Sequence, residues 1–364
     1  MPSKTSRRDF LLKTASAATL VTAATRSTTV KASTSALQKI KVGQIGTGHS
    51  HASGKIQVFG SSPDWELVGV VESDPDLRRE AEQSEEYRDV KWMTEEELLG
   101  TAGLQAVAVE TELKQSLDVA KRCISAGMHI HLDKPPGSDF QKFRRLLENA
   151  DRRQLTIQMG YMYRYNPGIV LLHELLRKGW LGEIFEVNAV MSKEVGGSKR
   201  KRWAENPGGS MFELGCHLID LLIGVLGQPD KVTPYNRHSG DFDDGLMDNM
   251  LAVCEYPRAT ATIRSAAVEV EGFERRHLVV CGTKGTLHIQ PLDNPVAQLA
   301  LSQPRGDYES DYQTIEFGKY ERYVDDLADL AAIIRGEKKS DFASAHDLAA
   351  QETVLKACNL PLGA

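Results

Sequence analysis

A buried strand that turns through two glycines into a helix constrains the fold of this chain more than any other feature. It lies at residues 39–51, KIKVGQIGTGHSH, where an apolar strand precedes the turn Gly46-Thr47-Gly48 and helix-forming residues resume at Ala52. A pyrophosphate site needs this order. One glycine makes the tight turn, the other lets the backbone approach the anion, and the helix N–H groups point at it. Gly-x-Gly also occurs in ordinary tight turns, so the motif alone does not establish a nucleotide site.

A carboxylate at the end of the second apolar run strengthens the nucleotide interpretation. The run 67–71 ends in Glu72, where a dinucleotide fold places the acid that accepts hydrogen bonds from the adenosine ribose. Because a carboxylate there repels a ribose 2′-phosphate, NAD is favoured over NADP. Asp74 is the alternative if the strand ends later.

The third position of the glycine motif does not fit, since His51 stands there. A side chain of that size should push the helix away or tilt it. His49 and His51 could face the cofactor or substrate, although histidines that fill a loop near a helix start are the simpler interpretation.

Residues 1–32 have the layout of a twin-arginine export signal and not of a folded segment. Ser-Arg-Arg-Asp-Phe-Leu at 6–11 precedes a modestly apolar stretch, which is too short and too rich in Ala and Thr to span a bilayer. We therefore expect an exported, periplasmic protein that uses the twin-arginine machinery, has no stable membrane anchor and folds with its cofactor before crossing. The five cysteines show no metal-ligand spacing, so we expect buried thiols and no disulfide framework.

Charge argues against a nucleic acid partner. The full chain has a formal net charge of −6, and residues 1–32 carry six Lys/Arg and one Asp. The rest of the chain is therefore five charges more negative than the whole, which disfavours binding to nucleic acid.

The segment order predicts two domains after the signal and linker at 1–36. Strands and helices alternate over 37–159, which predicts an α/β doubly wound Rossmann domain with a parallel sheet. Its expected strands are 39–45, 65–72, 88–92, 104–110, 128–132 and 154–159, with helices at 95–99, 113–126 and 139–150.

From 160 to 364 consecutive strands predict an α+β domain with a mainly antiparallel sheet. Its expected strands are 183–191, 231–236, 248–255, 259–270, 276–282 and 284–290, and its expected helices are 167–178, 210–226, 320–335 and 343–359.

Two places carry the candidate chemistry. Lys134 follows the fifth predicted strand and precedes two prolines, which hold it in an extended segment where it could orient a substrate hydroxyl over the nicotinamide. In the predicted helix 210–226, Glu213, His217 and Asp220 are separated by four and three residues and therefore share one face. A metal site and a structural hydrogen-bond network are alternatives, but the spacing lacks the second histidine of helical zinc sites. We favour acid–base chemistry, with His217 titrating near neutrality and Glu213 orienting it, and no metal.

Together these motifs resemble the glucose–fructose oxidoreductase / myo-inositol dehydrogenase family. The resemblance covers nearly all of 38–362. It rests on Gly-x-Gly, the Asp133-Lys134-Pro135 motif, Gly-x-x-x-Arg-x-x-Pro at 160–167 and the Gly-Gly to Asp helix at 208–220.

The resemblance implies a two-domain NAD(P) enzyme that acts on a sugar or cyclitol hydroxyl. It implies that Lys134 and His217 are catalytic with Glu213 as acidic partner, and that Arg164 and Asp220 shape the substrate site together with Lys134. Cofactor contacts are expected from Gly46, Thr47, Gly48, His49, Glu72, Thr111, Asp133 and Lys134.

The chain departs from the family pattern in four places. Glu213 replaces an aspartate and Asp133 a glutamate, Thr111-Glu112 replaces Thr-Pro with Ser116 where a histidine is expected, and His51 replaces the third glycine. These changes leave lysine and histidine in place, and the changes at Glu112 and Glu213 bear on the identity of the substrate.

The sequence therefore favours an exported NAD-dependent carbohydrate oxidoreductase with a tightly held cofactor that is recycled in place. The alternatives are a redox-neutral glycosidase that uses NAD transiently, and a non-catalytic sugar-binding protein. The basic run 199–202 could contact an anionic sugar such as a uronate, although a solvated loop is the default interpretation. The open face of the second sheet could form a homo-oligomer.

Overall fold

The computed structural model describes residues 38–363. The predicted export signal and most of its linker therefore lie outside the described residues. Two β-sheets with flanking helices make up the described part of the chain, and no helix in it is long and apolar enough to cross a membrane. The five cysteines are unbonded thiols, and four of them are buried, as expected.

The first sheet is parallel and has the order β2-β1-β3-β4-β5. Its strands and the helices that flank it are β1 (Ile40–Ile45), α1 (Ala52–Ser61), β2 (Trp65–Val71), α2 (Pro75–Glu82), α3 (Glu95–Leu99), β3 (Leu104–Val109), α4 (Leu113–Ser125), β4 (His129–Leu132), α5 (Phe140–Arg152) and β5 (Ile157–Met159). The predicted doubly wound parallel sheet is confirmed. The strand expected at 88–92 is wrong, because that segment contributes only a single bridge between Trp92 and Val70.

The second sheet is mainly antiparallel, as predicted, with the order β13-β12-β11-β10-β6-β9-β8-β7 and one parallel pair, β6 with β9. Its strands are β6 (Ile184–Val190), β7 (Lys231–Arg237), β8 (Asn249–Glu255), β9 (Thr260–Ala266), β10 (His277–Gly282), β11 (Gly285–Ile289), β12 (Val296–Leu301) and β13 (Gln313–Glu316). The last two strands were not predicted.

Helices of the second half cover one face of this sheet. They are α6 (Pro167–Arg177), α7 (Gly197–Glu205), α8 (Cys216–Leu226) and α10 (Ser344–Ala357), whereas α9 (Val324–Ile334) packs against β1 and β3 of the first sheet. Helix α7 occupies the segment that was predicted to be a loop. The single helix expected over 210–226 is also wrong, since a π-helical turn, Met211–Gly215, precedes α8.

One hydrophobic cluster runs through both halves and fixes the second half against the first. It contains Ile130 and Leu132 of β4 together with Leu218 and Ile219 of α8 and Leu287 of β11. Because these side chains are fully buried, the π-helical turn and α8 are held near the carboxyl ends of β3 and β4.

Candidate active site

The glycine turn after β1 closely approaches the end of β3. Gly46 has a φ of 95°, which favours glycine, and a Cβ added there would lie 2.5 Å from the Thr111 backbone nitrogen. Only glycine therefore permits this contact. The turn also binds Glu72, because the backbone N–H and the hydroxyl of Thr47 donate to its Oε2 at 2.7 and 2.9 Å.

The predicted nucleotide residues line one continuous border of the first sheet. Gly46, Glu72 and Thr111 border a cleft of about 880 Å³ beside the carboxyl ends of β1 to β3. The Thr111 hydroxyl is buried without a hydrogen-bond partner among the described residues. A buried polar atom with no partner is costly, so the cleft suits a ligand rich in hydrogen-bonding groups, such as a dinucleotide.

A buried polar cluster lies under this turn, and sequence reasoning missed most of it. The Lys55 ammonium is fully buried and contacts Glu110 Oε1 at 2.6 Å and Asp133 Oδ2 at 2.7 Å. His49 Nδ1 lies 2.8 Å from the same Asp133 oxygen. Asp133 is thus held by Lys55 and His49, and its other oxygen accepts the Lys134 backbone N–H at 2.6 Å. The predicted cofactor residue Asp133 therefore fixes the backbone of Lys134.

The charges in this cluster nearly balance. Burial raises the pKa of Glu110 well above its usual value, and Lys55 offsets only part of this effect. Burial also acts on Asp133, but His49 and Lys55 outweigh it and hold the pKa of Asp133 well below its usual value. Lys55 therefore contacts two carboxyl groups whose pKa values are shifted in opposite directions, Glu110 upward and Asp133 downward.

Lys134 reaches across to the π-helical turn. Its ammonium donates to the backbone carbonyl of Glu213 at 3.0 Å, and both residues line a second cleft of about 860 Å³. The Glu213 carboxylate accepts from Asn206 Nδ2 at 3.3 Å. No ion pair joins it to His217 in residues 38–363. The prediction that Glu213 orients His217 is therefore wrong for this structure, because the π-helical turn changes the register that an α-helix would give.

His217 is buried in an aromatic environment and is not among the residues that line the second cleft. Its ring centroid lies 5.7 Å from that of Tyr163, 5.9 Å from Tyr161 and 6.2 Å from His51. Its Nδ1 has no hydrogen-bond partner among the described residues. Burial lowers the pKa of His217 well below 6.5, and the positive charge of Lys134 adds to the effect. Titration near neutrality is thus wrong for this structure, and the ring is neutral at pH 7.

His51 lies just before α1 and points toward the second half of the chain. Its Nδ1 is 3.2 Å from Asp133 Oδ2, but the alignment is too poor for a hydrogen bond. Its ring packs 5.5 Å from the Tyr323 ring, and burial lowers its pKa to about 3. His49 and His51 therefore do more than fill a loop, because both contact Asp133.

Arg164 and Asp220 form a buried ion pair and do not border either cleft. Arg164 Nη2 contacts Asp220 Oδ1 and Asp347 Oδ1, both at 2.6 Å, and His346 Nε2 lies 2.9 Å from Asp220. Arg164 and Asp220 are 3% and 1% exposed. The structure thus favours the hydrogen-bond-network alternative for Asp220, and the substrate role of these two residues stays a prediction.

Two groups of described side chains are close enough to hold a metal ion, His49 with His51 and Asp133, and Asp220 with His346 and Asp347. A cation already neutralises each group, since Lys55 binds Asp133 and Arg164 binds both aspartates of the second. A divalent ion would lie beside that cation, and the repulsion disfavours it. Glu213, His217 and Asp220 do not form such a group.

Helix α7 closes the second cleft from the other side. Lys199, Arg202, Trp203 and Asn206 face Gly48, His49, Lys134 and Glu213 across it. Sequence reasoning missed Lys55, Glu110 and the tyrosines around His217. A signal existed for two of these residues, because Glu110 ends an apolar strand as Glu72 does, and Lys55 adjoins the apolar side chains of α1.

The parallel sheet with its glycine turn, followed by a mainly antiparallel sheet, is the fold of a class of NAD-binding oxidoreductases. Residues 40–161 match the model of the oxidoreductase family with an NAD-binding Rossmann fold, and residues 169–288 match the GFO/IDH/MocA C-terminal domain. The chain belongs to the GFO/IDH/MocA family, as its motifs predicted.

Relatives of established name are distant in sequence. The chain is 22% identical over 254 residues to trans-1,2-dihydrobenzene-1,2-diol dehydrogenase of Mus musculus, which covers 69% of this chain and 74% of that protein. It is 24% identical over 198 residues to scyllo-inositol 2-dehydrogenase (NADP(+)) of Bacillus subtilis, covering 53% of this chain and 54% of that protein. The match thus spans only about half of the inositol dehydrogenase.

Solved structures share the fold over most of the chain. GenD2 from gentamicin A biosynthesis, in complex with NAD, has a TM-score of 0.73 at 19% identity, covering 88% of this chain and 94% of that one. UDP-N-acetylglucosamine 3-dehydrogenase of Acidithiobacillus ferrooxidans has a TM-score of 0.73 at 18% identity, with 88% and 97% covered. At this identity the likeness concerns the fold alone.

Proposed function

We propose that this protein transfers a hydride between a hydroxyl-bearing carbon of a sugar or cyclitol and a bound nicotinamide. The observation that carries the proposal is that Lys134 lines a cleft that the glycine turn borders, while His217, neutral and buried, lies near enough for the Lys134 charge to lower its pKa. Names of relatives support the substrate class, since one acts on scyllo-inositol and one on a cyclic diol.

Three residues of this chain have different roles in the proposed reaction. Lys134 donates a hydrogen bond, at present to the Glu213 carbonyl, and in the same position can orient a substrate hydroxyl. The neutral His217 ring has one nitrogen able to accept the hydroxyl proton, and burial keeps that nitrogen unprotonated at pH 7. Asp133 holds the Lys134 backbone in place. When bound, the nicotinamide supplies the hydride acceptor or donor.

NAD is the proposed cofactor because Glu72 stands at the end of β2. Its carboxylate accepts from Thr47, and its second oxygen accepts from the Asp74 N–H at 2.9 Å. A negative charge held in this place repels a ribose 2′-phosphate. GenD2 was solved with NAD whereas the inositol dehydrogenase is named for NADP, so relatives are consistent with either nucleotide.

We further propose export by the twin-arginine pathway, with the cofactor retained and recycled in place, because the motif at 6–11 supports export and an exported enzyme has little free NAD to draw on. Dialysis tests retention. The proposal fails if dialysis strips the nucleotide and turnover continues undiminished without it.

A homo-oligomer through the open face of the second sheet is also proposed. Met250, Ala252 and Cys254 of β8 are buried under the helices, whereas Leu251 and Val253 on the opposite face are half-exposed. Their cross-strand partners on β9 are Arg264 and Thr262, so this face presents an apolar strip among polar side chains, which a second copy of the chain can cover. Sedimentation of the wild type against Leu251→Lys tests this. A monomeric wild type contradicts it.

The decisive test begins with protein purified without added nucleotide. After denaturation, mass spectrometry should identify NAD or NADH, and sugars added to the native protein should change the absorbance of the bound nicotinamide. His217→Asn should abolish that change and keep the nucleotide bound. The absence of nucleotide, with no binding of added NAD, would refute the proposal. Glycoside cleavage without net NADH would favour the redox-neutral glycosidase.

A further inference from the structure

Cationic side chains meet at the α7 side of the second cleft without partners of opposite charge. Lys199 and Arg202 line the cleft opposite the glycine turn, and Lys134 lines its floor. Lys193, just after β6, lies near them, with its ammonium 5.3 Å from the Trp203 ring centroid. Within residues 38–363 none of these four cations forms an ion pair with a carboxylate.

The basic run of α7 is therefore not a uniformly solvated surface. Arg200 is buried and pairs with Asp244 at 2.6 Å and Asp248 at 2.8 Å, so it is structural. Lys201 is exposed and lies outside the cleft. Only Lys199 and Arg202, three residues apart, point into it, as the spacing of one helix face requires.

Lys193 and Lys199 repel each other in the absence of an anion. Both are half-buried, Lys193 against the Trp203 ring and Lys199 at the border of the cleft. Burial lowers the pKa of Lys193 to about 7, and the positive charges of Lys199, Arg276 and Lys134 act in the same direction. Two like charges brought together in a partly buried place are unfavourable, whereas an oxyanion between them would be stabilised by both.

We infer that the substrate carries an oxyanion, a carboxylate or a phosphate, which Lys193 and Lys199 bind while Lys134 orients the reacting hydroxyl. This inference rests on the proposed oxidoreductase function and names its substrate class as acidic or phosphorylated sugars. The indole of Trp203, which also lines the cleft, gives the sugar an apolar surface beside the two lysines. Glu205 and Glu213 also line the cleft, which therefore contains both positive and negative charges. The cations for this reason do not attract every anion equally.

The cofactor's pyrophosphate is the other possible source of an oxyanion. The glycine turn and the start of α1 form its expected place, on the side of the cleft opposite α7. Lys193 belongs to the second half and packs against the Trp203 ring at the α7 side; it lines neither the nucleotide cleft beside Glu72 nor the second cleft itself. The position of Lys193 therefore favours the substrate.

Calorimetric titration of the full chain, saturated with NAD, tests the inference with four probes: D-glucuronate, D-glucose 6-phosphate, D-glucose and inorganic phosphate. We expect at least one charged sugar to bind about tenfold or more tightly than glucose, with affinity falling as salt rises. Lys199→Gln and Lys193→Met should each weaken the binding of that sugar and of phosphate by about tenfold, which corresponds to the loss of one charge-assisted hydrogen bond. Lys201→Gln on the same helix is the matched control and should change neither.

Several outcomes would overturn the inference. It is wrong if no charged probe binds more tightly than glucose, or if Lys201→Gln weakens phosphate as much as Lys199→Gln does. It is also wrong if Lys199→Gln and Lys193→Met both weaken NAD binding as much as phosphate binding, because the lysines would then bind the pyrophosphate of the cofactor. Since phosphate binding needs no turnover, a failed oxidoreductase assay with intact, lysine-dependent phosphate binding would refute the proposed function alone. Circular dichroism of each variant excludes unfolding as the cause.

Discussion

Lys55→Met should destabilise this protein far more than the loss of an ordinary ion pair. The ammonium is fully buried, contacts Asp133 and Glu110, and lies 5.7 Å from the Tyr323 ring centroid. Removing one partner of a buried pair costs about 3–5 kcal/mol, since the remaining charge stays buried. His49 still faces Asp133 in this variant, so we expect the lower end, about 3 kcal/mol.

The assay is urea unfolding at pH 7, followed by circular dichroism. Lys142→Met is the control, because Lys142 forms an equally short 2.6 Å ion pair with Asp118 but is 32% exposed, and exposed pairs contribute at most about 1 kcal/mol. The double variant Lys55→Met/Asp133→Asn should recover part of the loss, since the uncompensated carboxylate is then gone. The charge balance described for this cluster is wrong if Lys55→Met lowers the free energy of unfolding no more than Lys142→Met does. It is also wrong if the double variant loses the full sum of the two single-variant losses.

Three further predictions concern the nucleotide and the proton. Glu72→Gln should raise the dissociation constant for NAD about tenfold and reduce the preference for NAD over NADP, because the carboxylate charge is lost while the side-chain shape is kept. Calorimetry measures both affinities. Gly46→Ala should abolish NAD binding in the same assay, since its Cβ would lie 2.5 Å from the Thr111 nitrogen; binding within twofold of wild type would contradict this. The free energy of unfolding should fall as the pH drops from 6.5 toward 3, by up to about 1.4 kcal/mol per pH unit for each histidine whose pKa burial lowers, such as His51. The sign follows because the unfolded chain binds the proton more tightly, and His51→Asn should flatten the slope.

Local patterns predicted the first sheet well. Its strands are near-continuous apolar runs with helices between them, and the glycine turn and Glu72 lie within a few residues of strands that define their place. The segment 88–92 failed because its alternation resembles a strand, yet only Trp92 reaches β2. Helix α7 was missed because its nine residues, GSKRKRWAE, are mostly polar and begin with glycine, so that little in them favours a helix over a loop.

The catalytic side of the site was harder to predict because its contacts join distant parts of the chain. Lys55 meets residues 55 and 78 positions away, and no periodicity reports such pairs. The relation of Glu213 to His217 failed for a different reason. Spacing by four places two side chains on one face only in an α-helix, and the π-helical turn over 211–215 breaks that rule where the helix meets Lys134.

The histidine at the third glycine position is tolerated because a different glycine makes the close contact. Helix α1 begins at Ala52, one residue after His51, so that the imidazole lies outside the helix. The tight approach is at Gly54, where an added Cβ would lie 2.7 Å from Tyr323 Cε2. Helix α1 thus packs closely against Tyr323 of the second half through Gly54. The residue at the third position of the glycine motif gave no indication of this contact.

Gly54→Ala tests this account against Gly60→Ala in the same helix, where a Cβ meets no atom within 4 Å. Alanine is favoured over glycine in a helix by about 1 kcal/mol, so Gly60→Ala should stabilise the protein by up to that amount. At Gly54 the same gain is opposed by about 1–3 kcal/mol of overpacking against Tyr323, so we expect net destabilisation in urea unfolding. Tyr323→Leu should reverse the sign at Gly54 and leave Gly60 unchanged. Equal stabilisation at both glycines would mean that Tyr323 does not limit the approach of α1, and that the tolerance of His51 has another cause.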